Sequence, residues 1–216
     1  MKKQIGVIGL GKFGLKIGKT LFALQHEVLG IDCDSQQVNL ARKYFTEVFQ
    51  ADAMNIEALR QMRIQDLEHV VVSVGNSISV SAMVTMYLKE LGVKKVWAKA
   101  VNTNHEKLLY KIGADHVIIP EYMAANQVAN KIIIPGFIEF LPFDPNMAVK
   151  ELVVDQWHGK CLRELDLTNR FRIQVIAICS KKGGEWYYIP KADYVFEKDD
   201  KVIAIGRMED FKKIQT

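Results

Sequence analysis

Through about residue 119, short runs of consecutive apolar residues alternate with stretches in which apolar residues recur every three or four positions. QIGVI, EVLGI, EVFQA, HVVVSV, KKVWAK and HVIIP are short, β-branched and bounded by turn residues, which predicts strands. KFGLKIGKTLFALQ, SQQVNLARKYF, NIEALRQM, ISVSAMVTMYLKELG and NHEKLLYKIG carry the helical spacing. Strands that are apolar throughout, alternating with helices, predict an α/β fold with a doubly wound parallel sheet of Rossmann type. The glycines of GVKKV and GADHV follow two of these helices, where a left-handed residue ends the last turn.

From Glu121 the period changes. YMAANQVANKIIIPGFIEFLPFDP predicts a helix, a Pro135-Gly136 break and a second apolar run ended by Pro142 and Pro145. AVKELVVD, IQVIAICS, EWYYIP and KVIAIG then read as strands joined by turns such as KKGG, with MEDFKKI as a closing helix. A boundary near residues 142–146 follows, with residues 1–120 a Rossmann nucleotide-binding domain, 121–145 a helical crossover or dimerisation segment, and 146–216 a small α+β domain. KIIIPGFIEFLPF is too apolar to cross open water, so a broken helical hairpin here is expected to bury itself on a neighbouring copy or within its own chain.

The first predicted turn carries Gly9-x-Gly11-x-x-Gly14 between a strand and a helix. In such a motif the first glycine permits the tight turn, the second lets the backbone approach a pyrophosphate, and the third lets the helix pack on the sheet. Amides at the helix N-terminus then face phosphate, which the helix dipole favours. Asp32 ends the second strand, where its carboxylate accepts hydrogen bonds from a ribose and repels a 2′-phosphate. NAD(H), ATP, ADP or AMP are therefore preferred over NADP(H). Asp34 reads as the N-cap of the second helix. Lys12, inside the motif, is placed either to meet a terminal phosphate or to sit in solvent. Asp52 and Ala53 close the third strand, near an adenine or as a cap for NIEALRQM. Ser73, Gly75, Asn76 and Ser77 follow the fourth strand at the switch point of the sheet, where they line a cleft or cap the next helix.

Composition narrows the classes. With 216 residues and 49% apolar side chains the chain has ample material for a packed core. A net charge of +4, spread along the chain, gives no basic stripe for nucleic acid. The lysines and apolar run at the N-terminus imitate a signal peptide, but Gly6, Gly9 and Gly11 interrupt the run and a buried first strand explains it. No stretch approaches the apolar length of a membrane span. Cys33, Cys161 and Cys179 lie far apart without a CxxC pair, which fits a reducing cytoplasm. The five histidines form no HExxH pair and there is no GxSxG elbow. His105 and His116 are available to a dehydrogenase, but no base and orienting partner stand out, so the expectation is a binding protein rather than an enzyme. The alternative is an NAD-dependent oxidoreductase or a stand-alone redox or nucleotide sensor.

GVIGLGKFG, VLGID, QADA, VVVSVG, VWAKAVN and KIGADHVIIPE, in that order, resemble the regulator-of-potassium-conductance domain, also called RCK, KTN or TrkA-N. GKCLRELDL, VIAI and DDKVIAIG are similar to its TrkA-C companion. One copy of each at this length resembles the Ktr-type cytosolic subunits of bacterial potassium uptake systems. The resemblance implies a non-enzymatic gating subunit that forms dimers and an octameric ring under an integral membrane potassium-translocating subunit. It implies a cytoplasmic location, peripheral to the inner face of the membrane, with nucleotide in the Rossmann cleft controlling transport. Phe13 and Lys99 join the candidate nucleotide-binding residues. Lys12 falls where the family often has an arginine on the terminal phosphate, which leaves both ATP/ADP and NAD(H) open. Glu121 matches a position at which some relatives hold Mg2+ or another divalent cation. Some relatives also bind cyclic di-AMP between C-terminal domains; here Thr168 stands at the matching place, with Arg170 and Arg172 nearby.

Overall fold

The computed structural model describes residues 2–75, 77–141, 144–180 and 184–214. By backbone contacts the chain divides into two compact units, 1–123 and 124–216. The turn expected at KKGG falls mostly outside the described residues.

The first unit alternates strands and helices in the expected order. They are β1 (Gln4–Ile8), α1 (Lys12–Ala23), β2 (Glu27–Asp32), α2 (Ser35–Ala41), β3 (Glu47–Gln50), α3 (Ile56–Gln61), β4 (His69–Val72), α4 (Ile78–Glu90), β5 (Lys95–Lys99), α5 (Thr103–Lys111) and β6 (His116–Ile118). The strands form one sheet in the order β3-β2-β1-β4-β5-β6, and every neighbouring pair is parallel. Val7, Ile8, Ile31, Val70, Val72 and Val96 are buried, which is why these strands read as unbroken apolar runs. The strand order reverses between β1 and β4, and at such a switch point the outgoing loops diverge and open a crevice.

Caps set the helix limits. Asp34 accepts from the Gln36 amide at 2.8 Å, Asn55 from Glu57 and Ala58, Ser77 from Val80, and Asn102 from His105. Gly92 and Gly113 end α4 and α5 at φ +86° and +104°, the left-handed conformation expected of them. The ring of Phe45 fills the space over Gly18, where an added Cβ would come within 1.9 Å of it. Helix α1 thus lies close on the sheet because position 18 has no side chain.

Helix α6 (Pro120–Ile133) contains the division between the units and none of its residues is buried. The second unit holds β7 (Phe137–Leu141), β8 (Asp144–Val153), α7 (Leu162–Leu165), α8 (Leu167–Phe171), β9 (Gln174–Cys179), β10 (Trp186–Tyr188), β11 (Lys201–Arg207) and α9 (Met208–Ile214). Its antiparallel sheet has the order β10-β9-β11-β8-β7. Trp157, Phe196, Val202 and Phe211 anchor its core.

The broken helical hairpin expected after Ile133 is not what forms. Residues 137–141 are a strand paired with β8, and Phe137 is buried against Phe140 with ring centroids 4.8 Å apart. The physical reason is the turn before it: Gly136 takes φ +71°, and its carbonyl accepts from the Glu151 amide at 2.7 Å. That contact returns the chain along β8, so the segment joins the second sheet instead of standing apart from it.

Candidate functional site

The loop from β1 to α1 is fastened on both sides. The Gly9 amide donates to the Ile31 carbonyl at 2.9 Å, and the Ser73 amide to the Ile8 carbonyl at 2.7 Å. The three glycines of the loop then separate by cause. Gly9 has φ +86°, and a Cβ there would lie 2.9 Å from the Ser73 backbone. A Cβ on Gly14 would lie 2.0 Å from the Gly9 carbonyl oxygen. Gly11 has φ −62°, a conformation open to any residue, and a Cβ there would meet nothing within 4 Å. The fold itself requires Gly9 and Gly14, whereas nothing in the chain fills the space beside Gly11.

That space is a cavity of about 420 Å³ at the C-terminal ends of β1, β2, β3 and β4. Gly9, Gly11, Asp32, Asp52, Ala53, Ser73 and Gly75 all line it, so residues far apart in sequence meet there. Gly11 stands at the N-cap of α1 without a side-chain cap, and no acid occupies the first turn. The first amides of that helix therefore keep a partial positive charge directed at the cavity mouth.

Asp32 is more engaged than the sequence suggests. Its Oδ2 accepts from the Leu10 amide at 2.6 Å and its Oδ1 from the Asp34 amide at 2.9 Å. Each carboxylate oxygen retains a second acceptor site, so the residue can hold the loop and still receive a ligand hydroxyl. Asp52 accepts from the Met54 amide at 2.9 Å and closes the turn before α3, while Asn55 is the cap. The stretch after β4 divides its labour: Ser73 and Gly75 line the cavity and Ser77 caps α4. Asn76 lies outside the described residues. Cys33 and Gln37 also line the cavity. Gln37 had a readable signal, since it follows the Asp34 cap by three positions, on the turn of α2 that starts beside Asp32.

Lys12, Phe13, Gly14, Lys99 and Glu121 stand outside the cavity wall. Lys12 is exposed in the first turn of α1, and Gly14 is buried beneath it. The Lys99 ammonium lies 5.8 Å from the Phe13 ring centroid and 2.7 Å from Glu121 Oε1. That ammonium, hydrogen-bonded to Glu121, holds the carboxyl below the usual carboxylate range. Among the described residues no three His, Cys, Asp or Glu side chains are grouped so as to hold a metal ion.

The histidines considered for redox chemistry lie elsewhere. His105 is buried on α5, and its Nδ1 accepts from the Val101 amide at 3.3 Å. Burial lowers its pKa. His116 stacks on Trp97 with ring centroids 3.8 Å apart. Neither lines the cavity.

Among the described residues no helix is long and apolar enough to cross a membrane. Residues 5–120 match the TrkA-N domain model and residues 151–216 the TrkA-C domain model. Ktr system potassium uptake protein C of Bacillus subtilis (strain 168) is 34% identical over 216 residues, 100% of this chain and 97% of the relative. Among solved structures, the GsuK channel bound to NAD has a TM-score of 0.57 and 21% identity, covering 99% of this chain and 38% of the other. The GsuK structure bound to ADP has a TM-score of 0.54 and 14% identity, covering 62% of this chain and 35% of the other. The chain thus spans well under half the length of these solved chains, and the likeness to them is one of fold. With both domain models matched in order and a potassium uptake relative aligned end to end, the chain belongs to the TrkA-N and TrkA-C domain family that includes the Ktr system proteins.

Proposed function

We propose that this chain is a cytosolic, nucleotide-sensing regulatory subunit of a potassium channel or transporter. The observation that carries the reading is the open space at Gly11, beside an uncapped helix N-terminus and across the switch point from Asp32. An adenine nucleotide suits that arrangement: its pyrophosphate takes the α1 amides and its ribose hydroxyls the free acceptor sites of Asp32. ATP/ADP and NAD(H) share these features. The names of the family relative and of the two GsuK structures support potassium transport and this ligand class.

The exposed face of α6 supports self-association. Tyr122, Val128, Ile132 and Ile133 fall on one side of the helix, and the last two are 75% and 76% exposed. A dimer, and from dimers an octameric ring, is the assembly this reading adopts, held at the inner face of the membrane by an integral potassium-translocating subunit. No catalytic step is assigned.

The test is direct binding by the purified chain, with ATP, ADP, NAD and NADH titrated calorimetrically. Saturable binding without turnover of NADH is the expected result. Failure of all four to bind, or sustained NADH oxidation with a carbonyl substrate, would overturn the reading.

A further inference from the structure

Two segments of the first unit carry cations and no acid. Residues 10–26, which hold α1, include Lys12, Lys16 and Lys19, and residues 35–46, which hold α2, include Arg42 and Lys43. Neither segment has an aspartate or a glutamate. In sequence these charges are spread, but packing brings them to one face. The Phe45 ring fills the space over Gly18, and the Lys19 ammonium lies 3.9 Å from the centroid of the Tyr44 ring. The end of α2 is thereby fastened along α1. Lys12 opens α1 beside the cavity and is set aside. Lys16, Arg42 and Lys43 are exposed, and among the described residues neither they nor Lys19 are paired with an acid. The acids that follow the two helices, Glu27 and Glu47, begin the next strands, and Glu27 is already held by Lys2 at 3.1 Å. Apolar side chains stand among the cations. Phe22 follows Gly18 by four positions, on the side of α1 that meets Phe45, and Leu40 precedes Lys43 by three. Phe22, Leu40 and Tyr44 are 41%, 55% and 40% exposed.

Resting on the location at the inner face of the membrane proposed above, we propose that the α1–α2 face is itself a membrane contact. Lys16, Lys19, Arg42 and Lys43 take the headgroups of anionic phospholipids, and Phe22, Leu40 and Tyr44 reach the boundary with the acyl chains. An anionic leaflet attracts Lys and Arg that come within a Debye length of it. The net charge of the whole chain is only +4, so the attraction is local and orients the molecule with this face towards the bilayer. Long cationic side chains suit such a surface, because their apolar stems lie along it while the charged heads stay with the phosphates. The apolar residues choose among anionic partners. A nucleic-acid backbone offers nothing to an aliphatic side chain such as Leu40, whereas the headgroup boundary accepts aromatic and aliphatic groups beside cations. None of these seven residues lines the nucleotide cavity, so bilayer and nucleotide draw on different groups.

The experiment is co-sedimentation of the purified full chain with vesicles of phosphatidylcholine alone or of phosphatidylcholine mixed with phosphatidylglycerol, at low and at high KCl. Wild-type protein is expected to bind the mixed vesicles and not the neutral ones, more weakly as salt rises. Each cation near an anionic surface contributes about fivefold, so Lys16→Gln, Lys19→Gln, Arg42→Gln and Lys43→Gln together should lose about a hundredfold or more. Thermal melts check the fold. If the fourfold variant fails to fold, Arg42→Gln with Lys43→Gln is read in its place, with a loss of about tenfold or more. Leu40→Gln should weaken vesicle binding severalfold at high KCl while leaving retention on heparin unchanged. The proposal falls if wild type and the fourfold variant bind mixed vesicles equally, which would place the contact elsewhere. It falls too if Leu40→Gln leaves vesicle binding unchanged, which would make the face a general polyanion surface. Wild-type protein that ignores mixed vesicles at low KCl removes this inference alone and leaves the face to an acidic protein surface. The potassium-transport and nucleotide readings stand or fall by their own titrations.

Discussion

The Leu10 amide and the Asp32 carboxylate are joined across 2.6 Å, from the glycine loop to the end of the neighbouring strand. Asp32 is thus both a candidate ribose ligand and the group that sets the path of the loop. Asp32→Ala removes both roles. We expect ATP, ADP and NAD to lose about tenfold or more in affinity, and stability to fall by about 1–3 kcal/mol as the Leu10 amide loses its acceptor. Parallel calorimetry and thermal melts check this; an affinity loss with an unchanged melt would show that the loop does not depend on the bond.

Lys12 separates the candidate ligands. It is exposed at the start of α1, and of the candidate ligands only ATP carries a γ-phosphate. Lys12→Ala should weaken ATP severalfold more than ADP or NAD, whereas equal losses would assign Lys12 to the general field of the site.

Assembly is expected to depend on α6, not on the segment after it. Ile132→Glu with Ile133→Glu places charges on exposed positions, so light scattering should show smaller species while the melt is retained. Phe137→Asp should instead unfold the second unit, because Phe137 is buried at the start of β7. Wild-type protein that is monomeric at every concentration would contradict this.

Asp115 predicts an acid sensitivity. Burial alone would raise its pKa, but the Val96 amide at 2.8 Å and the ammonium groups of Lys95 and Lys89 hold it far below the ordinary carboxylate range. A folded-state pKa below the unfolded one contributes stability that is present above the unfolded value, near 4, and is lost as pH falls towards the folded one. Asp115→Asn should lower stability at pH 7 by about 1–3 kcal/mol and flatten the decline below pH 4, measured by denaturant titration across pH. A decline as steep as that of the wild type would place the acid sensitivity elsewhere.

Much of the first unit was legible in sequence because each signal there is local. The apolar strand runs, the Asp34 cap and the glycines at 92 and 113 act within a few residues of themselves, and the structure places them as expected. FIEFL was misread because a short apolar run between breakers fits a helix or a strand, and only pairing with β8 decides between them. Helices α7 and α8 are each five residues or fewer, too short for a periodic signal. In the site, the motif named the glycines but not their different causes, which depend on what each absent Cβ would strike. The Lys99–Glu121 contact joins residues 22 apart in sequence, and no spacing rule reports such a pair.

The central claim, that the space at Gly11 is kept for a nucleotide, is tested most directly by Gly11→Asp. Gly11 stands at the N-cap of α1 with backbone angles that any residue accepts, and aspartate caps a helix at least as well as glycine. The substitution should therefore leave the thermal melt unchanged or slightly raised, while its side chain and charge fill the path of the pyrophosphate. The measurement is calorimetric titration of ATP, ADP and NADH into wild type and Gly11→Asp, with melts alongside. Loss of all binding at an unchanged melt is the expected result, and wild-type affinity in Gly11→Asp would contradict the account.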